Sequence, residues 1–369
     1  MSHMKILFVG GGSIGHIAPC IAVWKAVQKK NPNTEAYFIC SQRDDDAAFL
    51  RSEGVCFAQI QIPRLTWRFP WRFLSGIIAA ANILRAFHPD VIFSKGGAVS
   101  VPVCLVARMM HIPIMLHESD AVMGRANALI SKLATVILTG FPLEQKPNDK
   151  LQIANNSQFA IRNSQFVGNP IRPEITHGSR NEGLRITGLS GTRPILLVMG
   201  GSQGAQKINE IVWELLSQVL GWCDVIHITG KGKGQIKNQK SEIRNHYFSL
   251  EFAQKELPHF YALASLALSR SGAGAIGELA ANGIPSILVP IRGLAQDHQQ
   301  ANALFVEKIG GCILISQEHL RTKLAGTIYD LLMNREKCEA LATHMRTVIK
   351  DDASENIAAL LLSQCRHRN

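Results

Sequence analysis

The apolar positions of this chain gather into short continuous runs, each closed by a glycine-rich or polar turn and followed by residues with helical apolar spacing. The runs occupy residues 5–9 (KILFV), 36–40, 60–62, 90–94 (DVIFS), 112–120 (IPIMLHESD), 135–139 and 166–167. After a polar interruption the pattern restarts at 194–199, 224–229, 248–252, 266–269 and in the run that ends at Pro290. Unalternated apolar runs are strands buried on both faces, and strands that alternate with helices build parallel sheets. The pattern predicts an α/β chain of two Rossmann-like domains with a ligand in the cleft between them. Residues 141–164 shift to Pro, Asn, Gln, Lys and Ser and lead to GNPIRP, which puts the boundary near residue 172. The domains are then 4–172 and 173–352, with the chain beyond residue 303 mostly helical, and residues 1–3 read as an added leader.

The turns carry the candidate chemistry. Strand, glycine-rich turn and helix follow one another at 10–16 (GGGSIGH), 95–102 (KGGAVSVP), 200–206 (GGSQGAQ) and 269–285 (SRSGAGAIGELAANGIP). Glycines let a ligand approach the backbone, and the helix that follows points free N–H groups and its positive dipole end at the turn. In the last of these, Glu278 faces the same mouth and can accept hydrogen bonds from the vicinal hydroxyls of a ribose. Tight strand-to-helix turns and a first-turn acid are the alternative. His16 places an imidazole where parallel strands collect ligands, or caps its helix. Polar residues also crowd two further strand ends, at His117, Glu118, Ser119 and Asp120 and at Asp297, His298, Gln299 and Gln300. Neither half shows a clean dinucleotide fingerprint with an acid about 20 positions on, which argues against a plain NAD-dependent dehydrogenase.

Charge and composition narrow the partners. The 369 residues are 46% hydrophobic and 18% charged, as in an ordered globular protein, with a formal charge of +11 that calls for an anionic partner. Eight scattered cysteines without metal-ligand spacing predict free thiols and no zinc. No apolar run is long enough to span a bilayer and no secretory signal is visible, so the expected chain is soluble and cytoplasmic. Between 64 and 73 (RLTWRFPWRF), Arg64, Arg68 and Arg72 recur every four residues among Trp67 and Trp71. Cations with interfacial aromatics suit an anionic membrane surface. A core helix with snorkelling arginines and a stacking surface for single-stranded nucleic acid are the other readings, the last without a supporting motif.

GGGSIGH, SKGGAVSVP, HESDAVMG, GNPIR, GGSQGA, SRSGAGAIGELAANGIP and QDHQQANA stand in the order and rough spacing of the MurG family, and the resemblance covers essentially the whole chain. It implies a GT-B fold whose last helix, about 353–366, packs back on the first domain. It also implies an inverting transfer of GlcNAc from UDP-GlcNAc to the 4-hydroxyl of lipid I, giving lipid II at the cytoplasmic face of the membrane. His16 would be the base. Ser13, Ile14, Gly15, Asp120, Arg172, Ser202, Phe252, Ala253, Ala273, Gly274, Ala275, Glu278, Gln299 and Gln300 would serve the donor, with Phe252 and Ala253 at the uracil. Gly12, Gly96, Gly97, His117 and Glu118 would serve the acceptor and its diphosphate, and Arg64, Trp67, Arg68, Trp71 and Arg72 an anionic inner leaflet. Neither cofactor, metal nor nucleic acid is expected. Two positions depart from the family pattern: Ile14, expected to narrow the pocket, and Asp120, where many members carry Asn. A GT-B transferase for another lipid such as diacylglycerol, or a non-catalytic UDP-sugar-binding protein, is the alternative.

Overall fold

The structure, a computed structural model, describes residues 4–61, 69–142, 164–201, 204–233, 243, 245–291, 293 and 297–364. Among these described residues the apolar runs become thirteen strands in two sheets, every pair parallel. The first sheet holds β1 (Lys5–Gly10), β2 (Glu35–Ser41), β3 (Phe57–Ile60), β4 (Val91–Gly96), β5 (Ile114–Glu118), β6 (Val136–Thr139) and β7 (Ser164–Phe166), in the order β3-β2-β1-β4-β5-β6-β7. The second holds β8 (Ile195–Met199), β9 (Asp224–Ile228), β10 (Tyr247–Leu250), β11 (Leu266–Ser269), β12 (Ser286–Leu288) and β13 (Cys312–Leu314), in the order β10-β9-β8-β11-β12-β13. Both are doubly wound. The winding reverses between β1 and β4 and between β8 and β11, the switch points at which open sheets of this kind bind their ligands.

Three expectations are corrected. β13 lies in a stretch read as helical, because three residues show no periodicity. β3 starts three residues and ends two residues earlier than expected, and β10 ends at Leu250, which leaves Phe252 and Ala253 in a loop.

The chain divides into two compact units, one of Met1–Arg172 with Lys350–Asn369 and one of Pro173–Ile349. In the N-terminal unit each face of the sheet buries its own cluster. One joins Phe8, Trp24, Phe38 and Phe93; the other joins Leu7, Ile92, Val103 and Leu116. The returning helix Ala353–Ser363 gives Ile357, Ala358 and Leu361 to the first cluster, all fully buried. Its Glu355–Lys29 ion pair at 3.2 Å is exposed and adds little.

The Phe69–Phe87 helix is two-faced. Ala80 and Leu84 are fully buried with Ile77 packed beside them, while Trp71, Leu74 and Ile78 are 75%, 50% and 54% exposed. Residues 71, 74 and 78 fall on one face at helical spacing.

If the returning helix is part of the first core, Ile357→Ala should destabilise the N-terminal unit by about 2–5 kcal/mol. Urea unfolding followed by tryptophan fluorescence reads this. A loss under about 1 kcal/mol would show that the helix lies outside that core.

Candidate functional site

At the first switch point the backbone does most of the positioning. β1 breaks register with β4 after Val9, so that Gly10 lies opposite Gly96. Gly96 and Gly97 both have positive φ, 86° and 82°, where a side chain is strained. A Cβ on Gly97 would stand 2.9 Å from the Gly11 carbonyl and 3.2 Å from His16 Nδ1, so the absent side chain makes room for the imidazole. His16 is the third residue of the Ile14–Lys30 helix; its N–H donates to the Ser13 carbonyl at 3.0 Å, and its own carbonyl accepts the Cys20 thiol. Ile14 begins that helix, outside the left-handed region, and packs against the first core cluster.

The turn itself is tied down from β2. Gly12 N–H donates to Asp46 Oδ2 at 3.0 Å, Ser41 donates to the same oxygen at 2.5 Å, and Arg43 reaches the Gly12 carbonyl at 2.8 Å. An amide assigned to an anion thus already serves a buried carboxylate. Asp46 escaped the sequence reading as one of three consecutive aspartates.

Beneath the same turn lies a buried polar cluster. Lys95, at the end of β4 and 2% exposed, donates to His117 Nδ1 at 2.5 Å and to the Ser119 hydroxyl. His117 Nε2 meets the Gly168 carbonyl at 2.9 Å. A carbonyl only accepts, so Nε2 carries the proton and Nδ1 takes one from the ammonium. Burial and the neighbouring Lys95 charge push His117 well below its ordinary value, which keeps it neutral. Burial lowers Lys95 from 10.5 to about 8, against the opposing pull of Glu118, Cys20 and Asp120.

Glu118 accepts from Asp120 N–H at 3.0 Å, Gly124 N–H at 3.1 Å and Asn127 Nδ2 at 2.8 Å, so it shapes the 119–124 loop. Burial and then Asp120 raise its pKa. His117 and Glu118 are therefore buried and engaged with protein groups, while Asp120 and Arg172 are partly exposed.

The second switch point gathers the other set. Gly272 caps the Ala273–Asn282 helix and has no side chain of its own to compete for the N–H groups of the turn. Ser271 donates to the Gln299 carbonyl at 2.8 Å and Asn302 Nδ2 donates to the Ser271 carbonyl at 3.1 Å, which ties this turn to the His298–Lys308 helix. Gln299 accepts the Ile291 N–H on its side-chain oxygen at 3.2 Å and so presents its amide nitrogen elsewhere.

Tyr261 donates to Glu278 Oε2 at 2.7 Å and orients the carboxylate. This partner lies 17 residues away and gave no sequence signal. Across the switch, Gly204 packs against Thr229 and Gly230, and Lys233 donates to its carbonyl at 2.9 Å. Lys231 sits 6.0 Å over the Phe252 ring, with Ala253 buried next to it.

The candidates thus fall into two groups, one in each unit. Ser13 to His16, Gly96, Gly97 and the β5 end with Asp120 gather at the first switch point; Ala273 to Ala275, Glu278, Gln299 and Gln300 gather at the second. Ser202, Arg64, Trp67 and Arg68 lie outside the described residues.

Comparison with known proteins agrees with this architecture. The "Glycosyltransferase family 28 N-terminal domain" matches residues 6–139 and the "Glycosyltransferase family 28 C-terminal domain" matches residues 195–357. A UDP-N-acetylglucosamine--N-acetylmuramyl-(pentapeptide) pyrophosphoryl-undecaprenol N-acetylglucosamine transferase from Shouchella clausii is 36% identical over 324 residues, covering 86% of this chain and 87% of its own. A protein of the same name from Clostridium perfringens is 34% identical over 348 residues, covering 91% and 92%. Among solved structures, Acinetobacter baumannii MurG superposes with a TM-score of 0.72 at 22% identity, covering 98% of this chain and 100% of that one. Neisseria meningitidis UDP-GlcNAc 2-epimerase bound to UDP-GlcNAc gives 0.68 at 16%, with coverage of 98% and 100%. These two establish the fold alone.

Paired doubly wound sheets with a glycine turn at each switch point are the arrangement of GT-B glycosyltransferases, and the chain is of that class. It belongs to glycosyltransferase family 28 and, within it, to the MurG family.

The hydrogen bonds of His117 predict an imidazole that stays in the neutral Nε2–H form as the pH falls through its ordinary value, readable from 15N chemical shifts. A titration near pH 6.5 would refute the buried arrangement. The folded pKa lies below the ordinary 6.5, so the unfolded chain binds a proton that the native one refuses. The stability contribution is therefore complete above about 6.5 and is lost as the pH falls toward the folded value.

Proposed function

We propose that this protein transfers GlcNAc from UDP-GlcNAc to the 4-hydroxyl of the N-acetylmuramyl sugar of lipid I, forming lipid II. The observation that carries this reading is the chain-long kinship with transferases of that name; the geometry supplies a division of labour consistent with it. In the C-terminal unit, Glu278, held by Tyr261, accepts the ribose hydroxyls. The first N–H groups of the Ala273–Asn282 helix meet the charge that grows on the departing UDP. Gln299 and Gln300 serve the sugar, Ser202 the phosphates, and Phe252 and Ala253 the uracil.

In the N-terminal unit His16 removes the proton of the attacking hydroxyl. Imidazole is the side-chain type best suited to accept a proton at neutral pH. Asp120 and Arg172 are assigned to the donor sugar, and the Gly96–Gly97 turn to the acceptor.

A polyprenyl diphosphate acceptor lies at a membrane, and among the described residues no helix is long and apolar enough to cross one. Docking is therefore peripheral, at the cytoplasmic leaflet. The exposed stripe of Trp71, Leu74 and Ile78, flanked by Arg72, is the apolar part of that contact.

Transfer of labelled GlcNAc from UDP-GlcNAc to a short-chain lipid I analogue tests the reaction. His16→Ala should lower turnover by roughly 100- to 10,000-fold while leaving UDP affinity unchanged. Loss of UDP binding instead would remove His16 from the base role. Glu278→Ala should weaken UDP by roughly 10- to 100-fold, the value of hydrogen bonds to a charged group. UDP binding without product would point to another acceptor.

For docking, wild type should pellet with anionic vesicles more at low salt than at high salt, and Trp71→Ala should reduce pelleting at both. Indifference to both salt and the substitution would remove the stripe from the membrane contact.

A further inference from the structure

The same device is built into both sheets. β4 runs out through Ser94-Lys95-Gly96-Gly97 and β11 through Ser269-Arg270-Ser271-Gly272. Each is the strand that faces β1 or β8 across the switch point. In both, the serine is buried and the next residue is a buried cation, Lys95 at 2% and Arg270 at 5% exposure.

Each cation turns along the C-terminal edge toward the next strand. Lys95 reaches His117 and Ser119 at the end of β5. Arg270 reaches the Val289 carbonyl at the end of β12 at 3.1 Å and Gln317 Oε1 beyond β13 at 2.7 Å. All four hydrogen-bond partners are uncharged. Burial lowers Lys95 to about 8 and Arg270 to about 10.

A buried cation held only by neutral acceptors costs stability, and such groups are retained where their charge has a use. Beside Arg270 lies the turn assigned above to the nucleotide diphosphate; the topologically equivalent turn beside Lys95 is Gly96–Gly97. Lys95 has three N–H donors, and its hydrogen bonds to described residues use two of them.

We propose that Lys95 is a positioning residue for the anionic diphosphate of a prenyl diphosphate at the first switch point. Its buried charge attracts the anion and holds it over the Gly96–Gly97 turn. The proposal rests on the transferase reading for the identity of that anion, though not for its charge. The charged and titratable groups that face the ammonium are His117 and Glu118 on β5, Asp120 in the loop after it and Cys20 on the first helix. Glu118 directs its oxygens to the loop amides and Asn127, so no carboxylate is hydrogen-bonded to Lys95 among the described residues.

The test is binding of farnesyl diphosphate to the whole protein, with UDP present at saturation to fill the nucleotide site, for wild type, Lys95→Met and Lys95→Gln. Lys95→Met removes charge and hydrogen bonds; Lys95→Gln keeps a donor and removes only the charge. Both should weaken farnesyl diphosphate at least tenfold and leave UDP affinity within twofold, and the thermal midpoint of Lys95→Met should hold or rise.

Wild-type affinity for farnesyl diphosphate should also fall above about pH 8 as the ammonium loses its proton, a limb that both variants lack. Wild-type binding retained in Lys95→Gln would make Lys95 a neutral clamp and overturn the proposal. So would equal affinity in all three proteins, or no binding by wild type. Should Lys95→Met not fold, Lys95→Gln and the wild-type pH limb decide the matter alone. Failure of GlcNAc transfer, by contrast, would remove the transferase reading and leave the diphosphate result standing by itself.

Discussion

A parallel sheet can be wound in only one hand, so a chain that adds strands on both sides of its first strand must reverse direction once. Next to that reversal the crossovers leave toward opposite faces, and the strand ends are uncovered. Among the described residues His16, the Gly96–Gly97 turn, Asp120, Glu278 and Gln299 are all anchored to one of the two reversals, β1 against β4 or β8 against β11, or to an element beside it. The glycines follow from the same constraint. Gly97 leaves room for His16, and Gly96 could not carry a side chain without colliding with Asn127. The site is thus shaped by backbone that has nowhere else to go, with few side chains added.

Those side chains are held from behind. Tyr261 fixes Glu278, Ser271 fixes the carbonyl of Gln299, and Glu118 gathers Asp120 N–H, Gly124 N–H and Asn127 around one buried carboxylate. A side chain restrained this way loses less conformational freedom when a substrate arrives. The buried polar groups also make the first switch point expensive. Lys95, His117 and Glu118 each lose hydration, and their hydrogen bonds offset only part of that cost. Packed aliphatic side chains at these positions would carry no such desolvation cost.

The fold was readable because it is written in local signals. Continuous apolar runs, glycine turns and a composition break at 141–164 gave the domain order and most of the strand positions directly, with β3, the end of β10 and β13 set by packing that short segments do not reveal. His16, Glu278 and the glycine turns were legible for the same reason, since each sits within a few residues of a strand end. What escaped notice depends on distant partners. Lys95 looks like an ordinary surface lysine until β5 comes alongside, 22 residues later, and buries it. Asp46 is hidden among three aspartates and is distinguished only by the Gly12 amide 34 positions away. The expectation that the first turn simply cradles an anion failed to foresee that its Gly12 amide was already engaged.

Asp120 is best understood through the same cluster. Where many members of the family carry Asn, this chain has a carboxylate, and in isolation that adds negative charge at the first switch point. The structure supplies the compensation. Asp120 raises the pKa of Lys95 and so helps the ammonium stay charged, and it also raises that of Glu118, which opposes a second carboxylate charge in the same pocket. Asp120 and Lys95 therefore belong together electrostatically. An Asn at 120 would leave the buried ammonium with less support, and a neutral residue at 95 would leave the Asp120 charge without that counterweight. The departure at 120 is thereby linked to a residue at the end of β4, 25 positions earlier in the chain, whose ammonium is hydrogen-bonded to Ser119, the chain neighbour of Asp120.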